Sequence, residues 1–213
     1  NGLGADVVAL QEIENSVELG ELLDEALADL VAGLNEAAGA GTWDYVPTPD
    51  VLTTPGANDI IMTAIIYKPS VVTPVGDSFA DTDAVWDIAR KPIAQTFDIG
   101  NDRLVTVVVN HFKSKSPPSG STDPEPADGQ GFFNAERVAQ AERLAAFVGD
   151  IAADEEKSAD VILLGDFNSY GQEDPIQALT GAGFVDLVPT KAPGQYTYTF
   201  NGELGSLDHA LVT

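Results

Sequence analysis

The chain contains no cysteine. Disulfide scaffolds, thiol nucleophiles and cysteine-based zinc sites are therefore excluded. Histidine is almost as scarce: His111 and His209 are the only two. Basic residues are few, with ten Lys and Arg against 34 Asp and Glu, a formal net charge of −24. A surface of that sign repels nucleic acid and anionic membranes at long range. A polyanionic ligand would have to be met locally, by a few placed cations or a metal ion. The plain reading of the acid excess is solubility, and a saline or extracellular setting is a second one. No apolar run approaches the roughly 20 residues needed to span a bilayer. The first residues, Asn1 to Gly4, carry no basic stretch, so no signal peptide is read there. They also lack an initiator Met, as expected of a processed or cut chain.

What is present is an ordinary globular composition, 213 residues with 44% hydrophobic and 21% charged. That length implies one domain, with roughly 70% of the unfolded chain's surface buried on folding. Residues 5–10 read as a short strand. Asn15 with Glu18 reads as a capping box opening a helix, with Leu19, Leu22, Leu23, Leu27, Leu30, Val31 and Leu34 at helical spacing and Gly39 and Gly41 as its stop. Residues 43–47, 60–67, 92–98 and 104–110 read as strands, with a turn over 98–102. Residues 114–131 form a long loop rich in Ser, Pro, Gly and Asp. A second amphipathic helix is expected over 133–153, a buried strand over 161–164, a short helix from Pro175, and last strands over 196–200 and 207–212. Several strands follow one another without a helix between, which points to α+β or a layered α/β fold.

Polar residues collect at the ends of three apolar strands: Glu12, then Asn110-His111 with Lys113 and Lys115, then Asp166 and Asn168. In a continuing strand Asp166 and Asn168 would face the same way, and Asn110 and His111 opposite ways. Oxygen donors of this kind suit a hard cation, Mg²⁺ or Ca²⁺, better than zinc. The two lysines could hold a phosphate beside it. Each feature also has a plain reading. Glu12 alone is a strand-end carboxylate, Asp166 and Asn168 alone are an Asx-type turn, His111 alone is a structural histidine, and the lysines alone are solvated. Their joint occurrence is what favours chemistry.

Taken in order, Gln11-Glu12, Asn110-His111, Gly165-Asp166-Phe167-Asn168 and Leu207-Asp208-His209 resemble the endonuclease/exonuclease/phosphatase superfamily, the deoxyribonuclease-like fold. Gln11 to Asn15, Asn110 to Lys115 and Ser206 to Leu211 look most like its large secreted bacterial nuclease branch. Ala89 to Pro92 resembles the family's Arg-x-Pro strand, and Gly131 to Arg137 the start of its helix. The resemblance implies a four-layered α/β sandwich, two mixed β-sheets face to face with helices outside, in a single domain over residues 1–213. It implies divalent-metal-dependent phosphoester hydrolysis with Mg²⁺, or Ca²⁺ or Mn²⁺ in its place. Glu12 would bind the cation. Asp166 would orient or deprotonate the attacking water. Asn168 would hydrogen-bond the scissile phosphate, His111 would stabilise its charge, and Asp208 would orient a catalytic His. Arg90, Asn110 and Lys113 would contact substrate phosphate.

The family's first strand and its closing Ser-Asp-His-x-Pro strand have no counterpart here, so the chain is expected to be the middle of a longer, truncated domain. His209 is then expected to be a structural neighbour of Asp208. The leading expectation is a secreted or cell-surface nuclease acting on DNA or RNA with little sequence preference. The alternatives are a phosphatase or phospholipase C-type enzyme acting on a phosphorylated small molecule or lipid headgroup, and a non-catalytic binding module that has kept the fold.

Overall fold

The computed structural model describes residues 3–120, 126, 128–154, 157–200 and 202–213. Part of the expected 114–131 loop, residues 121–125 and 127, and the terminal residues 1–2 lie outside the described residues. The elements run β1 (Val7–Glu14), α1 (Glu25–Ala38), β2 (Asp44–Tyr45), β3 (Ile61–Tyr67), β4 (Thr73–Ala80), β5 (Arg90–Asp98) and β6 (Leu104–His111). They continue with α2 (Asn134–Ala152), β7 (Val161–Asp166), α3 (Asp174–Gly181), β8 (Val185–Asp186), α4 (Val188–Lys191), β9 (Tyr198–Phe200), β10 (Glu203–Gly205) and β11 (Asp208–Val212).

A six-stranded sheet has the order β4-β5-β6-β7-β11-β8, and a three-stranded sheet the order β1-β3-β2. The large sheet is mixed, because β6 and β7 run parallel and the other pairs antiparallel. The small sheet is antiparallel in both of its pairings, which corrects the expectation of two mixed sheets. The β6–β7 connection carries the long helix α2, and a parallel neighbour requires such a crossover.

Alternation along the strands divides the apolar side chains among three cores. Val107 and Val109 of β6 meet Ile65 and Tyr67 of β3 in one core, between the sheets. Val108 of β6 and Leu163 of β7 point the other way, onto Leu144 and Val148 of α2 and Leu179 of α3. Leu27 and Val31 of α1 cover the outer face of the small sheet, against Ala64 and Ile66. At ~25 cal/mol per Å² of apolar surface, each buried Val, Leu or Ile among them contributes about 1.5–3 kcal/mol to folding.

The first helix starts later than its leucine spacing predicts. β1 runs on to Glu14, residues Ser16–Leu19 form a 3-10 turn, and α1 opens only at Glu25. The capping box does not form. The Asn15 amide instead donates to the Asp59 carbonyl at 3.0 Å, and Glu18 accepts from the Gly56 and Asn58 N–H groups at 2.6 and 2.9 Å. Both side chains are therefore committed to the 56–59 loop. Leu19, Leu22 and Leu23, placed inward by the helical pattern, are exposed.

Candidate functional site

Four polar side chains form a row across the large sheet. Arg90 at the start of β5 is in register with His111 at the end of β6. His111 is in register with Asp166 at the end of β7, and Asp166 with Asp208 at the start of β11. Register partners on adjacent strands put their side chains on one face, about 5 Å apart. His111 shares parity with Val107 and Val109, so the row lies on the face that meets the small sheet.

Two β-bulges complete the arrangement. In β5 the register shifts between Arg90 and Ile93, which brings Arg90 round to the His111 side. In β1 it shifts between Leu10 and Ile13, and Glu12 there has a positive φ of 57°. Leu10 and Ile13, three residues apart, both pack on the α1 side, while Glu12 is left exposed. Bulges re-aim side chains in this way beside functional sites. The charge of Glu12 is felt by both His111 and Asp166.

The row's electrostatics follow from burial. Burial lowers the pKa of the His111 imidazole to about 4, with the Arg90 guanidinium adding to the effect and Glu12, Asp208 and Asp59 opposing it. His111 is thus a neutral ring near pH 7, and any stabilisation of phosphate charge would come from an N–H donor rather than a cation. Its Nε2 lies 3.9 Å from Asp166 Oδ2, too far for a hydrogen bond, and its Nδ1 is buried without a partner among the described residues. Burial raises the Asp166 carboxyl to about 6, opposed by the Asn168 backbone N–H and reinforced by Asp208 and Glu12. Arg90 pairs with Asp59 through Nη2 at 3.2 Å, while its buried Nε has no partner among the described residues.

Asn168 lies beyond the end of β7, in a turn with φ 47°. Its backbone N–H donates to Asp166 Oδ1 at 2.7 Å, which is the Asx-type turn of the plain reading, and its side-chain amide donates to the Phe112 carbonyl at 3.0 Å. That amide has a second hydrogen left for a ligand. Asp208 makes no hydrogen bond to either histidine among the described residues. Asn110 falls one rung away from the row, opposite Gly165, and faces the helix side, fully buried. Its amide donates to the Val108 carbonyl at 3.1 Å, so the structure does not bring it to His111. Gly165 is required there, because an added Cβ would sit 2.0 Å from the Asn110 carbonyl oxygen.

The two lysines part company. Lys115 pairs with Glu173 and stands over the Tyr170 ring. Lys113 Nζ bonds Ser114 Oγ, lies 4.6 Å from the Phe133 ring centroid, and has its pKa lowered by burial and by Arg90 and Arg137. The backbone of Lys113 is held by residues that the sequence reading left without a role. Gln140 accepts its N–H at 3.0 Å, and the fully buried Arg137 guanidinium donates to the carbonyls of Lys113, Phe132 and Gln130. The sequence signal was an Arg and a Gln on the apolar face of an amphipathic helix. Asp59, the partner of Arg90, had no signal beyond its place before a strand.

Two cavities lie near the row, one at Arg90 and one at Asn168, two residues beyond Asp166. Arg90 lines one of about 480 Å³ together with Asn58, Asp59 and Lys91. Asn168 lines the other, of about 510 Å³, together with Lys115, Tyr170, Tyr198 and Phe200. Among the described residues no three His, Asp or Glu side chains converge as a ready metal cage. The donors still fit a hard cation: Glu12 is exposed and its charge is felt at Asp166, and Mg²⁺ is usually held by one or two carboxylates, with water and substrate oxygens completing its shell.

This fold has known counterparts. The sequence model of the Endonuclease/Exonuclease/phosphatase family matches residues 1–213, and the chain belongs to that family of metal-dependent phosphoesterases. It is similar to the human Nocturnin catalytic domain with a bound sulfate anion, at 18% identity and TM-score 0.61, covering 99% of this chain and 70% of that one. It is also similar to a humanized D. rerio TDP2, at 16% and 0.62 with 99% and 70% covered. A Bacteroides thetaiotaomicron mannosyl-6-phosphatase gives 16% and 0.57, with 98% and 71% covered. At such identities the likeness speaks to the fold. No curated protein matches the chain.

Proposed function

We propose that the chain hydrolyses phosphodiester bonds in nucleic acid, with a divalent cation and little sequence preference. The observation that carries this reading is the Arg90–His111–Asp166–Asp208 row with one cavity at Arg90 and a second at Asn168. A phosphate held at the row has room for a substituent in each cavity, as a diester needs and a monoester does not. A DNA product bound to D. rerio TDP2 shows that one protein of this fold takes a polynucleotide.

In this reading Asp166 accepts the proton of the attacking water. With its pKa raised to about 6, it is ionised at pH 7 yet a stronger base than a solvated carboxylate. The water oxygen bonds to phosphorus, the ester oxygen leaves, and the leaving oxygen takes its proton from solvent. Arg90 places positive charge against the phosphate, and its unpartnered Nε is free to donate. Neutral His111 donates one N–H to a phosphate oxygen, and Asn168 donates from its remaining amide hydrogen. Such fixed donors stabilise charge in the transition state without reorganising. Asp208 and Glu12 keep the affinity of Asp166 for its proton high. Glu12 would hold the cation, which when bound neutralises developing phosphate charge. Lys113, near Arg90 and without a carboxylate partner among the described residues, extends the positive ground for a neighbouring phosphate. The acid excess and the branch resemblance are what support reading this activity as extracellular.

The test is to incubate the chain with plasmid DNA, an RNA oligonucleotide, sphingomyelin vesicles and mannose 6-phosphate, each with Mg²⁺ or with EDTA. Nucleic acid cleavage that needs Mg²⁺ and is lost in Asp166→Asn is expected. Turnover confined to the monoester or the lipid would replace this reading, and cleavage that survives EDTA would remove the cation from it.

A further inference from the structure

The hairpin of β9 and β10 joins neither the large nor the small sheet. Tyr198 and Phe200, two apart on β9, share one face, with ring centroids 6.2 Å apart and planes 15° from parallel. Both rings are exposed, at 41% and 57%. Leaving two aromatic rings in water forgoes burial worth roughly 1.5–3 kcal/mol for a large side chain. The hairpin is nevertheless held firmly to the site. Gly205 pairs with Tyr198, and a Cβ there would come within 2.4 Å of the Tyr170 ring, so the hairpin rests directly on that ring. At the hairpin's root, Thr197 Oγ1 accepts from the backbone N–H groups of Leu207 and Asp208 at 3.2 and 3.3 Å. The aromatic face is thereby fastened to the first residue of β11, a member of the site's polar row.

Tyr170, Tyr198 and Phe200 wall the same 510 Å³ cavity that Asn168, two residues beyond Asp166 of the row, also lines. We propose that this cavity is a subsite for one unpaired nucleobase next to the scissile phosphate. The inference rests on the nucleic-acid reading above and narrows it to single-stranded or locally opened substrate. A base presents a flat π face, and stacking on an aromatic side chain contributes about 1–3 kcal/mol per base whatever the base identity. A paired base within a duplex has both faces covered by its neighbours and cannot offer one to the wall. Lys115, paired with Glu173 and 4.5 Å from the Tyr170 ring centroid, stiffens that ring and keeps a cation at the cavity's edge. In a chain of charge −24 this stacking supplies affinity that long-range electrostatics withholds.

The experiment measures binding in EDTA, so that turnover plays no part. Fluorescence anisotropy compares a labelled five-nucleotide thymidylate, the same backbone with abasic sugars, and a hairpin duplex. The thymidylate is expected to bind at least tenfold more tightly than either of the others. Tyr198→Ala with Phe200→Ala should erase the difference, Tyr198→Phe should keep it, and Tyr196→Ala, an exposed tyrosine that does not line the cavity, should leave it unchanged. Equal binding of thymidylate and abasic strand overturns the subsite. So does a preference that survives the double alanine variant, or a double variant that loses binding to phosphatidylcholine vesicles instead. Base-dependent binding without any nucleic acid cleavage keeps the subsite and rejects the nuclease reading. Base-independent binding with Mg²⁺-dependent cleavage does the reverse.

Discussion

His111 and His209 stand one rung apart at the same end of the large sheet, one in register with Asp166 and the other with Gly165. Both are buried, at 4% and 5% exposure. They differ in what their nitrogens meet. His209 is fully engaged: Nδ1 lies 2.9 Å from Asp186 Oδ2, Nε2 lies 2.9 Å from the Ser169 carbonyl, and the ring packs edge-on to Phe167. It ties β8, β11 and the turn after β7 together. His111 has a buried Nδ1 with no partner among the described residues, and only a distant carboxylate at Nε2. Buried polar groups are almost always satisfied, so one that is not calls for an explanation, and beside a row of charged side chains a bound ligand is one. Burial alone does not separate a working histidine from a structural one. Unused hydrogen-bonding capacity does.

Substitutions at the two positions should therefore fail in opposite ways. The largest effect belongs to the row itself. Asp166→Asn should lower kcat by about 10³- to 10⁵-fold, in the range of other catalytic-group removals, with the protein still folded. His111→Gln should cost about 10²- to 10³-fold in kcat/KM, the worth of one fixed donor to a charged transition state, with Tm unchanged within a few degrees. His209→Ala should leave the buried Asp186 carboxylate with the Val188 N–H as its one partner among the described residues, at a cost of about 3–5 kcal/mol. At ~2–4 °C per kcal/mol for a chain of this size, Tm falls by roughly 6–20 °C. The kcat per folded molecule should stay within tenfold of wild type. Steady-state kinetics beside thermal melts read both axes. A stability loss at His111, or a pure rate loss at His209, would break the distinction.

Much of this arrangement was legible in the amino-acid order, for physical reasons that stop at particular residues. β5, β6, α2 and β7 are long and strongly periodic, and their expected spans agree with the structure to within about two residues. The oxygen-rich strand ends at Asp166 and Asp208 could likewise be read as polar breaks in apolar runs. The bulges at Glu12 and Arg90 could not, because one inserted residue reverses a strand's faces without altering the composition around it. For the same reason alternation separated Asn110 from His111 but did not say which of the two faces the site. That depends on the cross-strand row, which is a fact of pairing. The start of α1 was misread because Asn15 and Glu18 have the chemistry of a cap but are drawn to the 56–59 loop, a contact 38 to 44 residues away in sequence.

The smallest effect, and the finest test of the row, lies in pH. kcat/KM should fall as pH drops through about 6, where Asp166 takes up its proton, and His111→Gln should keep that limb because the imidazole, held near 4, titrates elsewhere. Asp208→Asn should move the limb to lower pH by removing a carboxylate that raises Asp166. Stability carries the matching signature. The folded-state value of Asp166 is raised from 3.8 to about 6, so as pH falls through that window the native state binds the proton first and gains stability. That of His111 is lowered from 6.5 to about 4, so over nearly the same window the unfolded chain binds the proton first and stability is lost. Each contribution is on the order of 2–3 kcal/mol, and with opposite signs they largely cancel. In Asp166→Asn only the His111 loss is left. Denaturant melts between pH 6.5 and 4 should therefore show that variant losing stability more steeply than wild type, while the double variant with His111→Gln returns to the wild-type slope. Parallel curves for wild type and Asp166→Asn would mean that the two groups do not oppose each other across the row.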